Sequence, residues 1–296
     1  MSYSFDWVDA FTNQAFCGNG CVVVHDAEDL PVADRLSLVR ETSLSECAFM
    51  VPSKVADFGA RYYLADKEIL MAGHPTIATV ASLVARGHVD LSEGCATLSL
   101  EVGVGVLPIE VTVENDQVLI TMTQPAPVFG REMDVELIAD MYGLTSGDFL
   151  GTPQIVSTGT PFCVAVLRDQ DALRRAVLKP EAWHAINPVG TARADLVEPF
   201  LVTLNEKAGV SGTFSRLLLP APMPPEDPFT GSATGCMAAY LWHHNLIERP
   251  AFLAEQGHWM GRPGAARVEV VGPRDAPTSV RVGGQGRVVM RGTLEL

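Results

Sequence analysis

Nowhere in the chain is there an apolar stretch of about 18 residues, the length that a helix needs to cross a bilayer, and nowhere is there a basic run. The first absence speaks against a membrane partner. The second removes the electrostatic footprint that binding a phosphate backbone requires, and Lys plus Arg number only 21 against 35 Asp plus Glu, a net charge of −14. No nucleic acid is expected. A Walker phosphate loop, a G-x-G-x-x-G segment and an H-E-x-x-H pair are also missing, so neither a nucleotide nor a metal is expected and no cofactor is assigned. Residues 1–7 have neither the basic start nor the apolar core of a signal peptide, which points to a cytoplasmic protein. The six cysteines (Cys17, Cys21, Cys47, Cys95, Cys163, Cys236) form no C-x-x-C pair and read as reduced thiols, most of them small buried residues.

What the chain does contain is one short pattern used twice. Ala72-Gly73-His74-Pro75-Thr76 and Thr230-Gly231-Ser232-Ala233-Thr234-Gly235 each follow an extended apolar stretch and open an Ala-rich helix. Either glycine alone would be an ordinary strand-to-helix turn residue. Their recurrence, with His74 and Ser232 at matched positions, predicts a duplicated fold with one polar side chain at the start of each buried helix. The free N–H groups and positive dipole end of such helices favour an anion, most simply a substrate carboxylate. A length of 296 residues fits two domains at about 150 residues each.

The periodicity predicts helices over residues 30–41, 75–86, 134–142 and 233–246, the second and last apolar around most of their circumference. Strands are expected at 5–10, 22–24, 47–51 and 60–64, then as a meander at 97–106, 107–113 and 118–122. Residues 123–127 read as a linker. Further strands follow at 162–167, 201–204, 213–219, 268–271, 278–282 and 287–290. His243-His244 is adjacent rather than at i, i+4 and reads as the solvated end of a helix, not a metal pair.

Several segments resemble, in order and spacing, the signatures of the phenazine-biosynthesis isomerase (PhzF-like) family. They are Val8-Asp9-Ala10-Phe11-Thr12 with Gly18-Asn19, Ser45-Glu46-Cys47-Ala48-Phe49, Gly73-His74-Pro75-Thr76 and Val156-Ser157-Thr158-Gly159. Glu226-Asp227-Pro228-Phe229-Thr230-Gly231-Ser232-Ala233, Gln256-Gly257 and Gly261-Arg262-Pro263 complete the set. The resemblance implies an α/β (α+β) chain of the diaminopimelate epimerase-like fold: two similar domains, each a barrel-like sheet around a central helix, with the active site in the cleft between them. The domains are expected at 1–127, joined by a C-terminal strand at about 284–296, and at 128–283; a homodimer is expected as well. By the same resemblance Glu46 is the acid/base, and His74, Asp227, Ser232, Gly73, Gly231 and Asn19 surround the substrate, all converging on one cleft. The implied reaction moves a proton on a small carboxylate-bearing metabolite, of which the family type is a dihydro-hydroxyanthranilate. The apolar setting of Glu46 agrees, since desolvation raises a carboxyl pKa toward the range useful for proton transfer.

The departures define the alternatives. Cys17-Gly18-Asn19-Gly20 is the string of diaminopimelate epimerases, which use two thiols, so Cys17 is a candidate thiol for a racemase or epimerase. The second thiol's position falls on Ser232, whose hydroxyl is a poor substitute. A scaffold that binds a small ligand without turnover is the other alternative.

Overall fold

The computed structural model describes every residue of the chain except Arg193, Ala194, Ala208, Gly209 and Pro222. It divides into two compact units. Unit 1 is Met1–Thr123, Arg262–Ala265 and Gly283–Leu296; unit 2 is Gln124–Gly261 and Ala266–Val282.

In chain order the first half holds β1 (Ser2–Ala10), β2 (Asn19–Val24), α1 (Val32–Thr42), β3 (Cys47–Val51), β4 (Phe58–Tyr63), β5 (Glu68–Ile69) and α2 (Gly73–Ala85). It continues with β6 (Cys95–Val102), β7 (Gly105–Glu114) and β8 (Gln117–Gln124). The second half holds β9 (Val128–Glu132), α3 (Val135–Met141), β10 (Gln154–Ser157), β11 (Pro161–Leu167), α4 (Gln170–Arg175), α5 (Pro180–Ile186) and β12 (Pro199–Lys207). There follow β13 (Val210–Leu218), β14 (Glu226–Asp227), α6 (Gly231–His243), β15 (Ala251–Gln256), β16 (Gly264–Val271), β17 (Ser279–Gly284) and β18 (Gly286–Glu295).

In unit 1 the last strand, β18, pairs antiparallel with β1, and β1 pairs antiparallel with β2. β3 then runs parallel to β2, β4 antiparallel to β3, β6 parallel to β4, and β6, β7 and β8 form a meander. This sheet packs on α2, whose contacts are with β1, β2, β3 and β18. Eleven of the 13 residues of α2 are buried, so the helix is apolar nearly all round, as a helix inside a curved sheet must be. On the sheet's other face α1 covers a second cluster of Tyr3, Val22, Val24, Val39, Cys47, Phe49 and Tyr63. At its C-terminal end α2 is anchored by charge. Asp6, fully buried, accepts from Arg86 Nε at 2.8 Å and Nη2 at 2.9 Å and from Ser82 Oγ at 2.6 Å. Burial alone would raise the Asp6 pKa; the Arg86 and Ser82 hydrogen bonds outweigh it and hold the carboxyl below its ordinary range.

In unit 2, β9 and β10, and β10 and β11, pair antiparallel. β12 runs parallel to β11, β13 antiparallel to β12, and β15 parallel to β13. α6 packs on β10, β11 and β12, and ten of its 13 residues are buried. α3, α4 and α5 cover the other face, around Met141, Tyr142, Phe149, Leu173 and Trp183.

Some expectations need correction. The break expected between 106 and 107 falls at Gly103-Val104, because Gly105 takes φ +126 and turns the chain there. Residues 123–127 are not all linker: β8 continues through Gln124, whose side chain is buried by hydrogen bonds to unit 2 residues. α4, α5 and β15 were not anticipated, being short or weakly periodic. The histidine pair does lie at the end of α6, with His243 half-buried and His244 exposed; His243 stacks on Phe129 at 4.2 Å, and His244 packs on Tyr240 and bonds Gln154. Among the described residues no helix is long and apolar enough to cross a membrane, and no cluster of three or more His, Cys, Asp or Glu is placed to hold a metal. All six cysteines are free thiols.

Candidate active site

Glu46 sits where a helix end meets a strand start. α1 stops at Ser43, which takes the left-handed conformation (φ +53), and β3 begins at Cys47, so Glu46 is fixed from both sides. Its side chain is 18% exposed, and its Oε2 is buried, 3.3 Å from Nδ1 of His74. His74 is the second residue of α2 and is also buried. Burial pushes its pKa down to about 3, so the ring is neutral at pH 7. The spacing alone would fit an ion pair, but with the imidazole neutral it is a close polar contact.

Asn19, the first residue of β2, places Nδ2 3.2 Å from the same His74 nitrogen. A neutral ring accepting at Nδ1 from the Asn19 amide can instead accept there, by exchange, from a protonated Glu46 carboxyl. The other ring nitrogen, Nε2, is buried and has no hydrogen-bond partner among the described residues. With Nδ1 accepting, Nε2 carries the ring proton and is a donor that no described side chain takes up.

The remaining acids around Glu46 are silent. Burial pushes the Cys47 thiol up to about 12, and it raises the Cys21 thiol and the Tyr62 hydroxyl well above their ordinary ranges; the Glu46 charge adds to all three. Tyr62 is tied to Thr76 at 3.0 Å, and Thr76 donates back to Ala72 O at 2.7 Å, bracing the first turn of α2.

The other expected residues belong to unit 2. Asp227 lies on β14, buried, its Oδ2 accepting from Thr230 Oγ1 at 2.5 Å. Gln256 locks that turn: Oε1 accepts from Thr230 N at 3.0 Å, and Nε2 donates to Asp227 O at 2.7 Å. Helix α6 starts at Gly231, with Thr230 as its N-cap residue, so Ser232, half-buried, is the second helical residue and not a cap. The first N–H groups of α6, at Gly231, Ser232 and Ala233, have no partner within the helix. Gln124 bonds Gly231 O at 3.0 Å and accepts from Thr158 at 2.6 Å, fixing the helix start from outside.

Glu46, His74, Asn19 and Gly73 are thus gathered in unit 1, and Asp227, Ser232 and Gly231 in unit 2. Cys17 is half-buried, its thiol 4.0 Å from Gln14 Oε1. Cys236, fully buried against Thr158, has its thiol pushed up to about 11 by burial and is a packing residue. Gln256, Gln124 and Arg262 were given no role from sequence. Gln256 and Arg262 do lie in the quoted signature segments, but nothing in their spacing tells what they hold.

Residues 8–292 match the model of the phenazine biosynthesis-like protein family, PhzC-PhzF. The chain is similar to an uncharacterised isomerase of Clostridium acetobutylicum, 30% identical over 99% of this chain and 98% of the other. It is also similar to the trans-2,3-dihydro-3-hydroxyanthranilate isomerase of Pseudomonas fluorescens, 31% identical over 98% of each. Its fold matches the crystal structure of a PhzF-family phenazine biosynthesis protein from Bacillus anthracis, with a TM-score of 0.86 and 24% identity over the whole of both chains.

Proposed function

This chain belongs to the phenazine biosynthesis-like family, the PhzF-type isomerases, and from that premise we propose that it moves a proton on a small, unsaturated carboxylate with Glu46 as the acid and base. The observation that supports this is one of elimination. Around Glu46 the thiols of Cys21 and Cys47 and the hydroxyl of Tyr62 hold their protons at neutral pH, and His74 takes none. The Glu46 carboxyl is left as the group that can release and regain one.

In the proposed step the Glu46 carboxylate takes a proton from a C–H bond, the electron pair shifts along the conjugated system, and the same carboxyl returns the proton to another carbon on that face. Atoms and charge balance without a co-reactant. His74 accepts at Nδ1 from the transiently protonated Glu46, steadied by Asn19, and Nε2 is offered to the substrate. The first N–H groups of α6, with Ser232 and Asp227, take part in holding the substrate carboxylate, where a helix N-terminus favours negative charge. A dihydro-hydroxyanthranilate, the substrate in the name of the Pseudomonas relative, has this chemistry and is the first compound to try.

The test is deuterium wash-in from solvent with that substrate. Glu46→Gln keeps the shape of the side chain and should lower exchange by about a hundredfold to ten-thousandfold, the usual worth of a positioned acid/base. Ser232→Ala should raise KM and leave kcat nearly unchanged, as expected of a binding group. Exchange that survives Glu46→Gln at the wild-type rate would overturn the assignment.

A further inference from the structure

Four residues, Arg262–Ala265, interrupt the run of unit 2 and belong to unit 1. What they bring is a clamp on the loop between β1 and β2. Arg262 Nη2 donates to Asp9 Oδ1 at 2.7 Å and to Cys17 O at 3.1 Å, and Nε donates to Gly18 O at 2.9 Å. Pro263 O accepts from Gly18 N at 3.0 Å, and Ala265 N donates to Phe11 O at 2.8 Å. Asp9, 1% exposed, uses its other oxygen to accept from Phe16 N at 2.6 Å.

The loop needs holding. Phe11 and Phe16 stand at φ +62 and +66, a conformation costly to a bulky side chain, and Phe16 is 71% exposed, so packing does not retain it there. Gly18 is at φ +58, and a Cβ there would come 2.1 Å from Ala10 O. The next residue is Asn19, whose amide meets His74.

We propose that the Asp9–Arg262 pair is a positioning device for proton transfer: it holds the strained loop in the one conformation that sets Asn19 against His74. This rests on the assignment of Glu46 and His74 above. Arginine suits the task because its planar fork serves a carboxylate and two carbonyls at once, which a lysine cannot do. Arg262 and Asp9 meet no reacting atom in this scheme and act through Asn19.

The experiment compares Arg262→Met, Arg262→Lys and Asp9→Asn with the wild type by amide hydrogen exchange and by deuterium wash-in. The Phe16 and Gly18 amides should exchange about tenfold faster in Arg262→Met, the worth of roughly one hydrogen bond. kcat should fall by about a hundredfold, as for a site displaced by an ångström, with KM changed far less. Asp9→Asn should free the Phe16 amide in the same way, and Arg262→Lys should fall between Arg262→Met and wild type. Combined with Asn19→Ala, Arg262→Met should add little further loss. Loop amides that stay slow refute the clamp; freed amides with an unchanged kcat refute positioning; full additivity with Asn19→Ala shows that Arg262 acts elsewhere. Should Arg262→Met fail to fold, the other two variants decide the same questions. Amide exchange does not depend on turnover, so failure of this proposal is distinguishable from failure of the Glu46 assignment, which Glu46→Gln tests separately.

Discussion

In unit 1 the strands β18, β1 and β2 are antiparallel, β3 is parallel to β2, β4 antiparallel to β3 and β6 parallel to β4; in unit 2 the series β9, β10, β11, β12, β13 and β15 repeats that pattern step for step. Each unit packs one buried 13-residue helix on its sheet, opening Gly-His or Gly-Ser, and each helix has a threonine at its fourth position bonded back to the N-cap carbonyl. A glutamate even precedes the matching strand in both, Glu46 before β3 and Glu198 before β12. The chemistry is not repeated. In unit 1 the helix start meets a carboxyl and offers a neutral buried ring with a nitrogen that has no partner among the described residues; in unit 2 it is held by the amides of Gln124 and Gln256, each hydrogen-bonded through both its oxygen and its nitrogen. The far ends differ too: α2 is anchored through the Asp6 charge, and α6 by the stacking of His243 on Phe129 and the hydrogen bond of His244 to Gln154. A duplicated backbone therefore leaves function to a few side chains at matched positions.

The sharpest way to break this comparison is to change the two glutamates alike. Glu46→Gln should reduce turnover by about two to four orders of magnitude. Glu198→Gln, measured by the same deuterium wash-in, should leave it within about threefold, a loss far smaller than any acid/base contribution. Equal losses would mean that the units share the chemistry after all.

The next effect is on stability in acid. His74 has a folded pKa of about 3, below the ordinary value near 6.5, so its contribution is fully present above pH 6.5 and is lost progressively as the pH falls toward 3. At about 1.4 kcal/mol for each tenfold change in proton affinity, this amounts to several kcal/mol. Thermal melts from pH 7 to 3 should show His74→Asn losing less stability on acidification than wild type, and parallel curves would show that the ring is not neutralised by burial.

A smaller effect sharpens the comparison at the fifth helical residue, which is Ile77 in α2 and Gly235 in α6. A Cβ on Gly235 would fall 1.8 Å from Gln124 Oε1, so Gly235→Ala should cost about 1–3 kcal/mol of overpacking. Adding Gln124→Ala should return part of that loss in a double-mutant cycle of chemical denaturation; strict additivity would show that the amide is not what excludes the side chain.

The smallest effect expected is that of Cys17→Ala, a change of less than about threefold in wash-in, because the position that a second thiol would need is Ser232 and a hydroxyl is not a thiol's equal as a proton donor. Loss of exchange in Cys17→Ala together with its survival in Glu46→Gln would replace the proposed mechanism by a thiol-based epimerisation.

By itself the sequence determined that the fold is α/β and duplicated, because two glycine turns leading into two apolar helices leave a local, periodic signal that burial must satisfy. Gly73-His74 and Gly231-Ser232 were legible as helix starts for that reason, although α2 begins two residues before Pro75, and Ser232 follows the first helical residue instead of capping the helix. Glu46 was legible only through resemblance, since one carboxylate in an apolar string looks like any other. Only the tertiary structure decided that His74 is neutral, that its Nε2 has no partner among the described residues, and that Arg262 lies on the carbonyls of Cys17 and Gly18, 244 residues away in the case of Gly18. Those properties depend on how much water and which partners a group meets across the fold, and distant segments leave no spacing in the chain by which that meeting could be read.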